Sequence, residues 1–265
     1  MRLIFRMEAD IIILMATKKR SPLQIKTTEV HMCTVSTRLK ILKQLPFFHD
    51  LPSTDFIWIN DLFHERDYDV DQVICLSGEP AKKLFVVADG RVRLLRHSLT
   101  GKDILLDLLT SGEFFGAISG LGNEVYPDTA QAHSPCCILE VDREAFQQVL
   151  KRHPSVALNV IDIMAKRLRM ANEHVQQLSA LAVEARIASL LLMLGAKFGE
   201  QQEVGVLLQV PLSREDLAGM AGTTIESTSR VMSRFQKDGL IRAGRGWVAV
   251  TDEAGLRAIA GKELE

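Results

Sequence analysis

Glu226, the pair Ser229 and Arg230, Ser233 and Lys237 follow one another at steps of three to four residues and share one face of a helix. Ile225, Val231, Met232 and Phe235 interleave with them and are expected to pack inward. Just upstream, Pro211 to Gly222 reads as a short helix with Ser213 at the N-cap, Asp216 at the capping-box position and Gly222 as its stop. Thr223-Thr224 then opens the second helix. Two helices joined by a short glycine-containing turn form a helix-turn-helix, whose second helix enters the major groove of DNA. The chemistry of such a face is hydrogen bonding and ion pairing to base edges and phosphates. An ordinary helical hairpin with a solvated face is the alternative. Gly239-Leu240-Ile241-Arg242, Ala243-Gly244-Arg245-Gly246 and Trp247-Val248-Ala249-Val250 decide against it, because they read as a β-hairpin, the wing of a winged helix.

The elements that position this face must be found in the remaining chain. The 265 residues are 47% apolar and 25% charged, an ordinary folded composition, and the length suggests two domains. Lysine plus arginine at 32 against aspartate plus glutamate at 33 gives a formal charge of -1, so any DNA-binding surface is local. It is local here: Leu207 to Val250 holds six basic residues (Arg214, Arg230, Arg234, Lys237, Arg242, Arg245) and four acidic ones (Glu215, Asp216, Glu226, Asp238). The cysteines Cys33, Cys75, Cys136 and Cys137 contain no C-x-x-C, which argues against a disulfide framework or a common zinc site and for a reducing cytoplasm. No segment is long and apolar enough for a membrane span or a secretory leader; Ile11 to Ala16 is cut short by Asp10 and by Thr17-Lys18-Lys19-Arg20. Residues 1–31 share no periodicity with the rest of the chain. They are expected to be a disordered extension or the product of a start placed upstream of Met32.

From Thr37 to Leu45 the recurrence of Leu39, Ile41, Leu42 and Leu45 predicts a short amphipathic helix closed by Pro46. From about Phe56 to Val141 the pattern is of short strands: Val73-Leu76, Leu84-Val87, Val92-Leu95 and Ile104-Leu108. Turn signals separate them at Ser77-Gly78-Glu79-Pro80, Asp89-Gly90, Thr100-Gly101-Lys102 and Ser111-Gly112-Glu113. Strands at roughly ten-residue spacing predict an all-β barrel or roll, with Asp89-Gly90 as the strongest hairpin signal. After Pro154 a long helix is expected. Val160, Met164, Leu168, Ala171, Val175, Leu178 and Ala182 lie 4, 4, 3, 4, 3 and 4 apart, close to the repeat of a two-stranded seam, so the stripe is expected to hold a homodimer, with packing on the barrel of the same chain as the alternative. A helix over Ala185 to Leu194, stopped by Gly195, and a polar loop to about Glu203 precede the winged helix.

The order of β-roll, long helix and winged helix from about Leu39 resembles the cyclic-AMP receptor protein / fumarate-nitrate reduction regulator (Crp/Fnr) superfamily of bacterial transcription factors. The most specific local match is Thr224 to Gly239, similar to the fumarate-nitrate branch, whose recognition helix carries Glu, two residues, then Ser-Arg. The resemblance implies an α+β fold: a cyclic-nucleotide-binding-like, jelly-roll-like β-roll over residues 32–155, a dimerisation helix over 156–183 and a winged helix-turn-helix over 184–265. It implies Glu226, Ser229 and Arg230 as base readers. Physical chemistry agrees, since an arginine fork suits guanine O6 and N7, a carboxylate accepts from cytosine N4, and a hydroxyl suits either. Phosphate contacts are expected from Ser213, Arg214, Thr224, Arg234, Lys237 and Arg245. The implied partners are double-stranded DNA, a second copy of the chain and, for an activator, RNA polymerase; the implied half-sites are similar to TTGAT mirrored as ATCAA.

The effector region departs from the family's cyclic-AMP-binding branch. That branch carries Phe-Gly-Glu and, about ten residues on, Arg-Ser-Ala. Here Phe115-Gly116-Ala117-Ile118 and Pro127-Asp128-Thr129-Ala130 stand instead. Ala117 replaces the ribose-binding carboxylate and Asp128 the phosphate-pairing arginine, so Gly116, Ala117, Asp128 and Thr129 are expected to line a degenerate pocket that does not take cyclic AMP. The four-cysteine iron-sulfur cluster of the oxygen-sensing branch is also not expected, because only Cys33 lies near the start. No cofactor is the first expectation; haem, used by nitric oxide and carbon monoxide sensors of the superfamily, is the alternative. Tyr126 to Ala132 resembles members proposed to bind it, and His31, His49, His64, His97 and His133 are the candidate ligands, none in a diagnostic constellation. Cys75 is expected in the core; of Cys136 and Cys137 one is expected inside and one exposed to redox chemistry, because strand neighbours alternate. An enzyme, or a cyclic-nucleotide module without DNA binding, is the rival class. The chain has no Gly-x-Ser-x-Gly, Walker loop, His-Glu-x-x-His or dinucleotide fingerprint to support an enzyme.

Overall fold

A computed structural model describes residues 34–97, 103–117, 125–203 and 205–261. The expectations that fall on residues 1–31, on His31, Cys33 and Ile118 and on the Thr100-Gly101-Lys102 turn lie outside the described residues. Helix α1 (Val35–Gln44) starts at Thr34, whose side chain accepts from Thr37 N, and α2 (Asp55–Leu62) follows. The β section thus begins after Leu62 and not at Phe56. Eight strands then build the roll: β1 (His64–Tyr68), β2 (Val73–Cys75), β3 (Lys83–Asp89), β4 (Val92–His97), β5 (Asp103–Leu109), β6 (Phe114–Gly116), β7 (Thr129–Ala132) and β8 (Cys136–Asp142). They form two four-stranded sheets, ordered β1-β8-β3-β6 and β2-β7-β4-β5.

Asp89-Gly90 is a turn but joins no hairpin. β3 pairs with β8 and β6, while β4 pairs with β5 and β7, so the chain crosses from one sheet to the other at this corner. Gly90 is required there on two counts. Its φ is +82°, and a Cβ would stand 2.3 Å from the Pro135 carbonyl oxygen. Strand β8 is buried along six of its seven residues because the two faces of its sheet are both covered. Cys136, Ile138, Phe85, Phe115 and Tyr126 belong to the core between the sheets, whereas Cys137, Leu139 and Val141 meet the helices. The two cysteines do alternate, yet neither is exposed, which corrects the expected redox partner; burial also pushes the Cys136 thiol up to about 12. Cys75 is in the core as expected, with its thiol raised in the same way.

Helix α3 (Arg143–Arg152) leads into α4 (Pro154–Ala180), a 27-residue helix about 40 Å long. Its stripe is split between the roll and solvent. Val156 and Val160 are buried, and Met164 half-buried, against the helix-facing core of the roll that includes Phe47, Phe114 and Phe146. Val160 is 7% exposed and is therefore not available to a second chain, which corrects its assignment to the seam. Its neighbour Ile161, 64% exposed, faces outward in its place. Ile161, Leu168 and Val175, with Ala171 beside them, form an outward row whose large members lie seven residues apart. Helix α5 (Val183–Phe198) runs through Gly195, which does not stop it, and ends on β9 (Gly199–Gln202) where a polar loop was expected. Strand β10 (Gly205–Leu208), helices α6 (Arg214–Met220) and α7 (Ile225–Lys237), strands β11 (Ile241–Gly244) and β12 (Trp247–Val250) and helix α8 (Glu253–Gly261) complete the chain. The last sheet is ordered β11-β12-β10-β9, so the wing extends a four-stranded sheet. Among the described residues no helix is long and apolar enough to cross a membrane.

Candidate nucleic-acid interface

Local chemistry sets both helices of the unit. Ser213 caps α6: its Oγ accepts from Asp216 N at 3.0 Å, and Asp216 Oδ2 accepts from Ser213 N at 2.8 Å. This closed capping box satisfies two N–H groups that a helix start leaves unpaired. Thr224 caps α7 by accepting from Ser227 N at 3.1 Å. Thr228, Val231, Met232 and Phe235 form the buried stripe of α7, and the last three share a core with Leu217 and Met220 of α6. Ile225 is 45% exposed, contrary to expectation. It occupies the first turn, ahead of the surface that α6 covers, and Thr228 takes the inward place.

The face left open carries the expected base readers. Glu226 and Arg230 point outward with side chains 83% and 74% exposed, and Arg230 Nη2 donates to Glu226 Oε1 at 2.8 Å. Ser229 lies between them, half-buried. Lys237 and Arg245 are exposed. Arg234 is committed within the chain, donating to Glu184 of α5 at 2.5 Å and lying 3.7 Å from Asp238. Arg214 is half-buried, and burial alone pulls its guanidinium below the ordinary arginine range. No ion pair of Arg214 occurs among the described residues, so an arriving phosphate would offset its desolvation. Gln236, Ile241, Arg242, Gly244, Arg245 and Trp247 line a groove of about 680 Å³ between the end of α7 and the wing. Arg242 was marked only as one of the basic residues of this segment and Gln236 not at all, since their place beside Arg245 depends on the wing folding back on α7.

The unit is seated on the roll. Leu95, Leu105 and Leu108 of β4 and β5 share one core with Leu217, Met220, Val231 and Phe235. Lys197 of α5 bridges to Glu113 at 2.9 Å, and His133 Nε2 donates to the Pro211 carbonyl at 3.1 Å. Burial, with Arg93 beside it, holds His133 below the ordinary histidine range and so keeps its ring neutral. The other candidate histidines are dispersed: His49 bonds the Pro46 carbonyl, His64 lies on β1, and His97 contacts Asp103. Among the described residues no group of three His, Cys, Asp or Glu side chains is placed to hold a metal ion. In the effector region Ala117 is buried, and Thr129 Oγ1 accepts from Ser77 N at 3.1 Å. Gly116 closes against the Lys83 carbonyl, and Asp128 is bound by Arg96 at 2.7 Å. Phe85 and Phe115 stack with centroids 5.0 Å apart, and Tyr126 lies 5.9 Å from Phe85.

Comparison with known proteins agrees with both halves of this architecture. Residues 65–153 match the cyclic nucleotide-binding domain family and residues 185–259 the Crp-like helix-turn-helix domain family. The chain is similar to a cyclic AMP receptor protein of Thermus thermophilus, 34% identical over 219 residues, 83% of this chain and 98% of that protein. It is also similar to the transcriptional activator protein FnrA of Stutzerimonas stutzeri, 28% identical, covering 71% of this chain and 77% of the relative. Among solved structures, FixK2 from Bradyrhizobium japonicum shares the fold, with a TM-score of 0.65 at 23% identity over 74% of this chain and 96% of that one. TTHB099, a Crp-family regulator from Thermus thermophilus, gives a TM-score of 0.62 at 25% identity, covering 76% and 98%. With a winged helix whose recognition face is open, a β-roll beside it and a relative matched over nearly its whole length, the chain belongs to the Crp/Fnr family of DNA-binding transcriptional regulators.

Proposed function

We propose that the chain acts in the cytoplasm as a homodimer that presents two copies of α7 to inverted half-sites similar to TTGAT and ATCAA. The observation that carries this reading is the outward face of α7. Glu226 and Arg230 are exposed with Ser229 between them, and Thr228, Val231, Met232 and Phe235 are turned inward on the opposite face. Arg230 and Glu226 would read the G·C pair from opposite bases, and Ser229 would help select the outer thymine. Arg214, Lys237, Arg242 and Arg245 flank them as phosphate contacts, with Ser213 and Thr224 at the two helix starts; Arg234 must leave Glu184 to join them. The outward row Ile161, Leu168, Val175 supports pairing of α4 with a second copy, because seven-residue spacing keeps an apolar seam on one side of two supercoiled helices. An activator would also meet RNA polymerase.

The same reading holds that this roll does not take cyclic AMP, in contrast to what the name of the Thermus relative says of that protein. Asp128 turns a carboxylate toward Arg96, and Phe85, Phe115 and Tyr126 fill the space between the sheets. A phosphodiester entering there would have to displace the internal ion pair and then meet the repulsion of Asp128. The deciding experiment is a competition at fixed salt between TTGAT-ATCAA and TGTGA-TCACA palindromes for the purified chain, with and without cyclic AMP. Preference for the first, unchanged by the nucleotide, is the expected result. Preference for the second, or tightening by cyclic AMP, refutes the reading.

A further inference from the structure

The turn between α6 and α7 is held by two elements outside the helix-turn-helix. Helix α6 ends with the Ala221 and Gly222 carbonyls beyond its own ladder, and Arg186 of α5 donates Nη1 to both, at 3.0 and 3.1 Å. A guanidinium suits this place, since helix C-termini leave carbonyls unpaired and carry partial negative charge. Two residues earlier Glu184 pairs with Arg234 of α7, so the first turn of α5 holds the end of one helix and the last turns of the other. Leu178, from the last turns of α4, reaches the same spot. A Cβ at Gly222, whose φ is +59°, would stand 2.5 Å from Leu178 Cδ2 and 3.4 Å from Arg186 Nη1. Only Leu181 and Ala182 separate α4 from α5, and Leu181 is buried with its N–H bonded to the Gln177 carbonyl.

We propose that Leu178 and Arg186 are positioning residues that fix the recognition helix relative to the dimer seam and so set the spacing between half-sites. The inference rests on the dimeric reading above. Leu178 belongs to the seam stripe and also touches the turn, so the end of the seam and the start of α7 meet across one glycine. One base pair displaces a half-site by about 3.4 Å, enough for a rigid dimer to reject a wrong spacer. Without the two Arg186 hydrogen bonds or the Leu178 contact, α6 and α7 keep their mutual core but lose their fixed seat against the ends of α4 and α5. Among the described residues, no hydrogen bond or ion pair joins Arg186 to Glu226, Ser229 or Arg230. Tolerance of spacing should therefore rise while the letters read within each half-site stay the same.

The test is selection of duplexes from a randomised pool by the full chain, comparing wild type with Arg186→Gln, Arg186→Lys and Leu178→Ala. Sequencing then reads the half-site letters and the spacer separately. The wild type is expected to enrich one spacer over its neighbours by about tenfold, the scale of a single mismatch. Arg186→Gln and Leu178→Ala should accept spacers one base pair longer or shorter within about threefold, with unchanged letters, and Arg186→Lys should fall between. A single spacer retained in both Arg186→Gln and Leu178→Ala, or altered letters, overturns the clamp while leaving the dimeric reading standing. Absence of inverted repeats from the wild-type selection overturns both. If Arg186→Gln does not fold, Leu178→Ala at its half-exposed site carries the test. Sedimentation at the selection concentration must find that variant dimeric, since a monomer would assign Leu178 to the seam alone and end its role in the clamp.

Discussion

Replacing Arg230 with alanine separates base reading from folding. Arg230 is 74% exposed, and its ion pair to Glu226 links adjacent turns of the same helix. Such pairs stabilise a helix by about 0.3 to 0.5 kcal/mol, so the melting temperature should fall by no more than about 2 °C. On DNA the same side chain is assigned the guanine edge, where a bidentate contact discriminates by about 1 to 3 kcal/mol, or about 5- to 150-fold. The loss must be confined to the G·C pair. Arg230→Ala should bind the intact palindrome and one changed at that pair with nearly equal affinity, whereas the wild type separates them. Arg245→Ala supplies the contrast: it should weaken all sequences alike and lower the salt slope by about one. Fluorescence anisotropy over a salt series with both duplexes measures every quantity. If Arg230→Ala retains discrimination at the G·C pair, or behaves as Arg245→Ala does, the assigned register of α7 is wrong.

The seam can be tested by Leu168→Asp combined with Val175→Asp, which should yield folded monomers by sedimentation; a persistent dimer refutes the assignment. Val160→Ala should do the reverse, leaving association intact while lowering chain stability on the order of 2 kcal/mol through lost burial in the roll core. Calorimetry with cyclic AMP should detect no binding at about micromolar to tens of micromolar concentrations, the range a built site would reach. Burial raises the Cys75 and Cys136 thiols from 9.0 to about 12, so above pH 9 the unfolded chain releases protons that the folded chain keeps. Stability is therefore undiminished by these groups below pH 9 and falls as pH climbs toward 12, by up to about 1.4 kcal/mol per pH unit for each thiol. Denaturant titrations at pH 8 and 10 should show the loss, and Cys136→Ala should flatten it; equal slopes in wild type and variant would count against buried protonated thiols.

What could be read along the chain was whatever is decided within a few residues. The capping box of Ser213 and Asp216, the cap at Thr224 and the buried trio Val231, Met232 and Phe235 were legible because helix starts and faces depend on neighbours three and four positions away. Ile225 was not, because its burial depends on how far α6 reaches over the first turn of α7. The strands β3, β4 and β5 were legible as strands, while the helix at Asp55–Leu62 was lost in an apolar run that suits either state. The effector region was legible as a departure in residue type at Ala117 and Asp128; that Arg96 answers Asp128 from the neighbouring strand was not, because the two lie 32 positions apart.

By itself, then, the amino-acid order determined the layout of roll, long helix and winged helix, and the open face carrying Glu226, Ser229 and Arg230, since periodicity, caps and turns are properties of short segments. Tertiary structure decided which surfaces those segments cover. Asp89-Gly90 turns the chain in either case, but only the pairing of β3 with β8 and of β4 with β7 makes it a corner between sheets. Cys136 and Cys137 alternate as strand neighbours must, yet both are buried because a second sheet lies on one side and helices on the other. Val160 and Ile161 are alike in sequence terms; the roll claims the first and leaves the second to solvent. Arg186 carries no motif at all. It reaches the end of α6 only because α5 crosses the helix-turn-helix at that point, and a contact between residues 35 positions apart is set by packing, not by pattern.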